Sequence, residues 1–250
     1  MIRKRQKVQK LLNLLFNCLY FRRNDGDLVL YRNLYNERYH FPGISHFKLF
    51  NLFFFGFENH YFNKYLVVDR GNWNPNPRTI IDCGAFVGGF SNCALARFPD
   101  ASLLAVEPSI KNFECLSSNV KSQRAILLNI ALGGRDEKRT FYTTTSFTDD
   151  SMSANSENAD GGSYDVSVIT VSTLINRYDI NCDTLLLKVE AEGFELEVLN
   201  GLLDKQPKWI VIDASPELEF QDFSKDIIIL LKPDYYVYQN GKMICATRIK

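Results

Sequence analysis

The sequence predicts an α/β fold on a mostly parallel sheet, and three observations carry that reading. Short apolar runs recur from residue 79 onward, at Thr79–Asp82, Leu103–Glu107, Ala125–Ile130, Thr184–Val189 and Trp209–Asp213. Helical stretches alternate with them, and strands that are apolar on both faces belong to sheets covered on both sides. The chain then closes on Tyr235–Gln239 and Met243–Thr247 around Asn240-Gly241, a dipeptide suited to a tight hairpin, so the sheet ends in an antiparallel pair.

The 250 residues, 46% hydrophobic and 23% charged, suit a globular chain and exclude whole-chain disorder, collagen or coiled coil. This length accommodates one large domain with an appendage, divided here as a basic helix and cap over residues 1–70 and the main domain over 71–250. The formal net charge is zero, yet seven of the 29 basic residues lie in residues 1–23, which hold no acid. The remaining 22 basic residues face 29 acids, so a basic arm is joined to an acidic body.

Residues 1–23 read as one basic amphipathic helix, packed on the domain or lying on an anionic membrane surface. Its apolar stretch Leu11–Phe21 is too short and too interrupted to cross a bilayer. Residues 24–70 suggest a helix or two plus short strands, with apolar runs at Leu28–Tyr31 and Tyr65–Val68. Pro75 and Pro77 mark the entry to the main domain.

Gly89–Phe98 reads as a helix stopped by Pro99, and Ile110–Ser122 as a second. Residues 143–164, rich in Ser, Thr, Asn, Asp and Gly, read as a long polar loop. Val166–Val171 suggests a strand, and Ser172–Arg177 a short helix capped by Ser172 or Thr173. The segment EAEGFELEVLNG reads as a helix with acids in its first turn and Gly201 at its end. Ile227–Leu231 is expected to be helical.

Two motifs carry chemistry. In IIDCGAFVGGFS, Asp82 ends a strand, and Gly84, Ala85, Phe86, Gly88 and Gly89 lead into a helix. Ligands of open parallel sheets bind at such strand ends. An acid two residues before the first glycine disfavours a pyrophosphate and suits a ligand with a cationic end, such as S-adenosylmethionine. Glu107 ends the next strand, where a carboxylate can accept both hydroxyls of a ribose. The second motif, LLLKVEAEGFELEVLNG, places Glu190 and Glu192 at a strand's carboxyl end, a position for a base, a hydroxyl-orienting group or a metal ligand. Glu195 and Glu197 are expected on a solvated face, and Lys188 is positioned to pair with one of the acids.

The three histidines, His40, His46 and His60, all precede residue 61. A Ser-His-Asp or His-rich metal centre in the main domain would therefore have to borrow from the N-terminal segment. No metal site is expected. The six cysteines form no CxxC pair, which suggests buried free thiols in a reducing cytoplasm, with Cys93 and Cys115 as small apolar groups on helix faces.

Taken in order, IIDCGAFVGGFS, VEPSIKNFECLSSNV, NIALGG and LLLKVEAEGFELEVLNG resemble the FkbM-type S-adenosylmethionine-dependent methyltransferases over residues 79–213. The resemblance implies a class I, Rossmann-like sandwich with a seven-stranded sheet containing one antiparallel strand. It implies methylation of a hydroxyl on a sugar, glycan or natural-product scaffold. Asp82, Gly84, Ala85 and Gly88 then correspond to the cofactor turn and Glu107 to the ribose-binding acid. Asn129, Ile130 and Ala131 lie where the family's third strand approaches the adenine. Glu190, Glu192 and Gly193 match the family's K-I-D-V-E-G pattern, with Glu190 standing where Asp is commoner.

With no histidine after residue 60, proton removal from an acceptor hydroxyl falls to Glu190 or Glu192, unless His40, His46 or His60 folds over the site. A nicotinamide-dependent oxidoreductase is disfavoured because GxGxxG is missing. A non-catalytic adenosyl-binding scaffold stays open. No nucleic-acid partner is expected from an acidic body. A cytoplasmic location follows, with contact to the inner membrane face through residues 1–23 as a further expectation.

Overall fold

The computed structural model describes residues 20–22, 28–32, 38–42, 61–66, 73–143, 162–214 and 223–249. Strands β1 (Tyr20–Arg22), β2 (Leu28–Arg32) and β3 (Arg38–Pro42) form a small antiparallel sheet. Tyr20–Arg22 is thus strand, where a helix through residue 23 was expected. The rest of that basic stretch, with Cys18, lies outside the described residues, as do His46, His60 and residues 144–161 of the polar loop. Phe62–Leu66 forms a short π-helical turn.

The main sheet is built from β4 (Thr79–Cys83), β5 (Ser102–Val106), β6 (Ala125–Leu128), β10 (Leu185–Val189), β11 (Trp209–Asp213), β12 (Tyr235–Asn240) and β13 (Met243–Arg248). Their order is β12-β13-β11-β10-β4-β5-β6. Pairings from β11 through β6 are all parallel, and β13 runs antiparallel to both neighbours. The seven strands with one reversed member are those the sequence led us to expect.

Side chains of each strand alternate between two apolar layers. Ile81, Leu104, Leu185, Leu187, Ile210 and Ile212 enter one layer, while Ile80, Leu103, Ala105, Leu186 and Val211 enter the other. Helix α1 (Gly89–Arg97) covers the second layer with Phe90, Ala94 and Leu95, and α2 (Ile110–Asn119) adds Leu116. Helices α3 (Val171–Arg177), α4 (Glu195–Asn200) and α5 (Ser224–Leu231) cover the first layer. Cys93 and Cys115 are buried free thiols on α1 and α2. Tyr65, from the helical turn, is wholly buried in the second layer beside Phe90, with ring centroids 5.4 Å apart.

Three local expectations are corrected. Residues Glu137–Thr143 form a strand, β8, that hydrophobic runs alone did not mark; its polar outer face hides the alternation that buries Phe141. It pairs with β9 (Gly162–Ile169), so the polar segment gives way to strand already at residue 162. With β7 (Ala131–Leu132) they form a separate three-stranded sheet. Finally, α3 is capped by Thr170, not by Ser172 or Thr173.

The Thr170 Oγ1 accepts the Thr173 N–H at 2.9 Å. Asp136 supports the cap by accepting from the Thr170 N–H at 2.7 Å and the Thr173 hydroxyl at 2.9 Å. A side-chain cap contributes about 1 kcal/mol. Thr170→Ala is therefore expected to lower unfolding stability by about that amount in urea denaturation, with an unchanged m-value.

Candidate active site

The carboxyl ends of β4, β5, β10 and β11 lie side by side, and the residues singled out above gather there. The turn after β4 crosses directly under the turn after β10. Gly84 has φ +73°, and a Cβ there would lie 1.7 Å from the Glu190 carbonyl oxygen. Only glycine allows that approach. Gly88, the N-cap of α1 at φ +90°, has a similar duty: a Cβ would meet Val120 Cγ2 at 2.5 Å. The two sequence motifs are thus bound to each other by packing.

Two non-glycine residues on these turns have left-handed backbones, Phe86 at φ 50° and Glu192 at φ 48°. Such conformations cost about 1 kcal/mol or more and persist where surrounding structure enforces them. At Glu192 the enforcing group is Glu195. Its Oε1 accepts the N–H groups of Ala191 at 2.8 Å and Gly193 at 3.2 Å. Glu195 is buried, not solvated as expected, because α4 begins only at residue 195 and its first side chain turns back onto the loop. Burial raises its pKa, with the backbone N–H groups opposing. Glu197 has the surface role, pairing with Arg139 at 2.8 Å.

Asp82 is fully buried. Its Oδ2 accepts the Ser91 hydroxyl at 2.6 Å, and Oδ1 lies 3.1 Å from the Lys188 ammonium. Lys188 stands in the strand alternation where an apolar residue would face Tyr65 and Phe90, and it is 1% exposed. Its Nζ donates to the carbonyls of Gly84 at 2.7 Å and Cys83 at 3.2 Å. It also lies 3.3 Å from Glu190 Oε2. Burial alone would depress the Lys188 pKa, but the Asp82 and Glu190 carboxylates outweigh it and the net shift is upward.

Lys64 enters from the helical turn. Its Nζ lies 2.6 Å from Glu190 Oε1 and 2.7 Å from Asp213 Oδ2. The result is a chain of alternating charge across three neighbouring strand ends: Asp82, Lys188, Glu190, Lys64, Asp213. Three acids meet two ammonium groups, leaving one formal negative charge. Burial would raise the Glu190 pKa, yet Lys188 and Lys64 bring it down to about 2. No group of three His, Cys, Asp or Glu side chains able to hold a metal occurs among the described residues.

Sequence reasoning missed Lys64 and Asp213. Asp213 was legible as the acid ending the last parallel strand. Lys64 had no sequence signal, since nothing local indicates where its segment docks.

Glu107 lies one residue beyond β5. Its Oε2 accepts the Phe86 N–H at 2.8 Å and its Oε1 the Ser109 N–H at 3.0 Å. Burial pushes its pKa up to about 7, with those N–H groups and the Asn112 side chain opposing. With the Phe86 and Ser109 N–H groups and the Asn112 side chain already donating to it, the carboxylate has about one of its four acceptor sites left for a further donor such as a ribose hydroxyl. Asn129 donates its Nδ2 to the carbonyls of Glu107 at 2.8 Å and Pro108 at 3.1 Å, and so braces this turn. Ile130 packs on the first core layer, and Ala131 is buried in β7. Ala85 is buried. His40 is not gathered here; its backbone pairs with the Asn119 side chain at the end of α2.

A parallel sheet with this strand order, a glycine turn after its central strand and an acid after the next define the class I, Rossmann-like methyltransferase sandwich. The chain belongs to the FkbM methyltransferase family: the model of the Methyltransferase FkbM domain matches residues 82–239. The family's cofactor is S-adenosylmethionine. The residues present are compatible with it: the Glu107 carboxylate would accept from its ribose, and the net negative charge of the Asp82–Asp213 chain would suit its cationic end.

Among solved structures, the chain is similar to methyltransferase FkbM from Methylobacillus flagellatus KT. The two share 15% identity and a TM-score of 0.44 over 69% of this chain and 44% of that one. This chain thus spans less than half that protein's length. It is also similar to precorrin-6y C5,15-methyltransferase from Geobacter metallireducens GS-15, at 12% identity over 70% and 84% of the chains, TM-score 0.39. A third is M. jannaschii TYW2 in complex with AdoMet, at 9% identity over 92% and 90%, TM-score 0.42. Among curated proteins, no sequence matches the chain.

Proposed function

We propose that this protein transfers a methyl group from S-adenosylmethionine to a hydroxyl oxygen of a sugar or glycan. The observation that carries this reading is the juxtaposition of Glu107 after β5 with the acidic turn Glu190–Gly193 after β10, joined through the glycine turn between them. S-adenosylmethionine, when bound, supplies a methyl on a sulfonium, which is already strongly electrophilic. The protein's task is then to hold the acceptor hydroxyl in line, exclude water and receive a proton.

The two glutamates divide that work. Glu190, held by two ammonium groups at a pKa of about 2, has little affinity for a proton. It is suited to orienting a hydroxyl through a hydrogen bond. Glu192, half-buried on its strained turn, is the base. Glu192→Ala is expected to lower kcat by about 100-fold or more, the usual range for a lost general base. Cofactor affinity should stay within about threefold, since Glu192 is not among the residues assigned to the ribose or the charge chain. Full turnover in that variant would remove Glu192 from the mechanism.

The acceptor class rests on the family resemblance and on carboxylates suited to hydroxyl donors. Its test is transfer of labelled methyl from S-adenosylmethionine to free sugars, a lipid-linked glycan and RNA, with calorimetry against NAD as control. Label on RNA alone would overturn the glycan reading. No helix among the described residues is long and apolar enough to cross a membrane. Contact of residues 1–23 with an anionic membrane face belongs to the same proposal, tested by vesicle binding with and without those residues.

A further inference from the structure

We infer that Lys64 is a positioning residue for the transfer, carried in from the N-terminal segment to clamp Glu190 and Asp213 in one orientation across the ends of β10 and β11. The inference rests on the hydroxyl-transfer reading above and extends it to a segment outside the residues matched by the family model.

The geometry is specific. One ammonium contacts both carboxylates, at 2.6 and 2.7 Å, and its own segment is anchored by the buried Tyr65 ring one residue on. Tyr61 stacks on Tyr65 at 6.2 Å between centroids, so the turn is fixed on both sides of Lys64. Lys188 already satisfies Glu190 Oε2. Without Lys64, Oε1 and the Asp213 carboxylate would meet with no cation between them. Two like charges at adjacent strand ends repel, and the Glu190 side chain, 26% exposed, would keep Lys188 as a contacting cation on Oε2 but lose the one that fixes Oε1. The N-terminal segment therefore takes part in the catalytic centre and is more than a cover for the domain.

The titratable groups facing Glu190 are Lys188 on its own strand, Asp82 on β4, Asp213 on β11, and Lys64, Tyr61 and Tyr65 on the helical turn. Burial and Glu190 push both tyrosine hydroxyls upward; Lys188, which also holds Asp82, is the larger cationic influence on Glu190 and Lys64 the second, and Lys64 is the one of the two that comes from the N-terminal segment. The experiment follows the side-chain carboxylate of Glu190 by carbon-13 NMR in the full chain, in wild type, Lys64→Met and Lys64→Arg. Loss of a contacting cation is expected to raise the Glu190 titration midpoint by about 1–3 units in Lys64→Met, with Lys64→Arg restoring most of the shift. An unchanged midpoint in a folded Lys64→Met protein overturns the inference. Should Lys64→Met fail to fold, a midpoint in Lys64→Arg equal to wild type supports the clamp, and one raised as far as a lost cation predicts overturns it.

Methyl transfer to the sugar panel supplies the functional readout. A fall in kcat of about tenfold or more with cofactor affinity within about threefold marks positioning of the acceptor, whereas loss of cofactor affinity alone overturns it. If the wild type methylates none of the sugars, the acceptor reading fails, and the NMR titration still decides the role of Lys64.

Discussion

Lys188→Met is expected to lose about 3–5 kcal/mol of folding stability, the usual consequence of removing one partner of a buried ion pair. The ammonium is 1% exposed and Asp82 wholly buried, so the variant leaves a carboxylate inside the core that keeps, among the described residues, the Ser91 hydroxyl as its side-chain donor. The Gly84 carbonyl loses this donor as well, and the Cys83 carbonyl loses one of its two, keeping the Glu190 N–H. Methionine nearly matches the lysine stem in volume, which keeps a cavity from contributing to the result. Equilibrium urea unfolding measures the loss. The double variant Lys188→Met, Asp82→Asn separates its causes. If the orphaned charge dominates, the double variant recovers about half or more of the stability, since a neutral amide can be buried with its hydrogen bonds more cheaply than a charge. A loss under about 1 kcal/mol in the single variant would show that water reaches the pair, contrary to the burial seen here.

Glu107→Gln is expected to weaken S-adenosylmethionine binding by about 100-fold. Hydrogen bonds to an ionised acceptor contribute about 1.5–3 kcal/mol each, and the amide replaces one accepting oxygen with a donor that faces a backbone N–H. The same group governs pH dependence. Its pKa is raised from 4.5 to about 7, so its contribution to folding stability is fully present below 4.5 and is lost as pH rises through about 7. Binding has the opposite sense. The ionised carboxylate is the better acceptor for a ribose hydroxyl, so affinity should rise as pH climbs through that value. Calorimetry across the range is expected to show tightening in the wild type. In Glu107→Gln that dependence should be absent, leaving only what the ligand's own amino group contributes. A wild-type profile flat through pH 7 would remove Glu107 from the ribose contact.

Much of this centre was legible in the sequence because it is written in short segments. Asp82 with its glycines, Glu107 and Glu190–Gly193 are each a strand end followed by a turn. A parallel sheet brings successive strand ends to one edge. Glu195 was misjudged because spacing cannot say which residue begins a helix. The acid thought to lie on a solvated turn instead folds back to brace the strained loop at Glu192. Thr170 was missed as a cap for a similar reason, since three neighbouring hydroxyl residues compete for the position. Strand β8 escaped because its alternation is carried by polar residues with one buried aromatic.

The sequence by itself determined the layered α/β architecture, its closing antiparallel strand and the acids at the strand ends. Apolar periodicity, turn residues and strand-end acids are properties of a few neighbouring residues. Only the tertiary structure decided what those acids do. Asp82 is engaged by Lys188, Glu190 is shared between two lysines, and Glu107 is held near neutrality by burial. The physical reason is that a carboxylate's charge and reach depend on which cations approach within a few ångströms and on how much water is excluded. Both are set by contacts between residues more than a hundred positions apart, as Lys64 and Glu190 are.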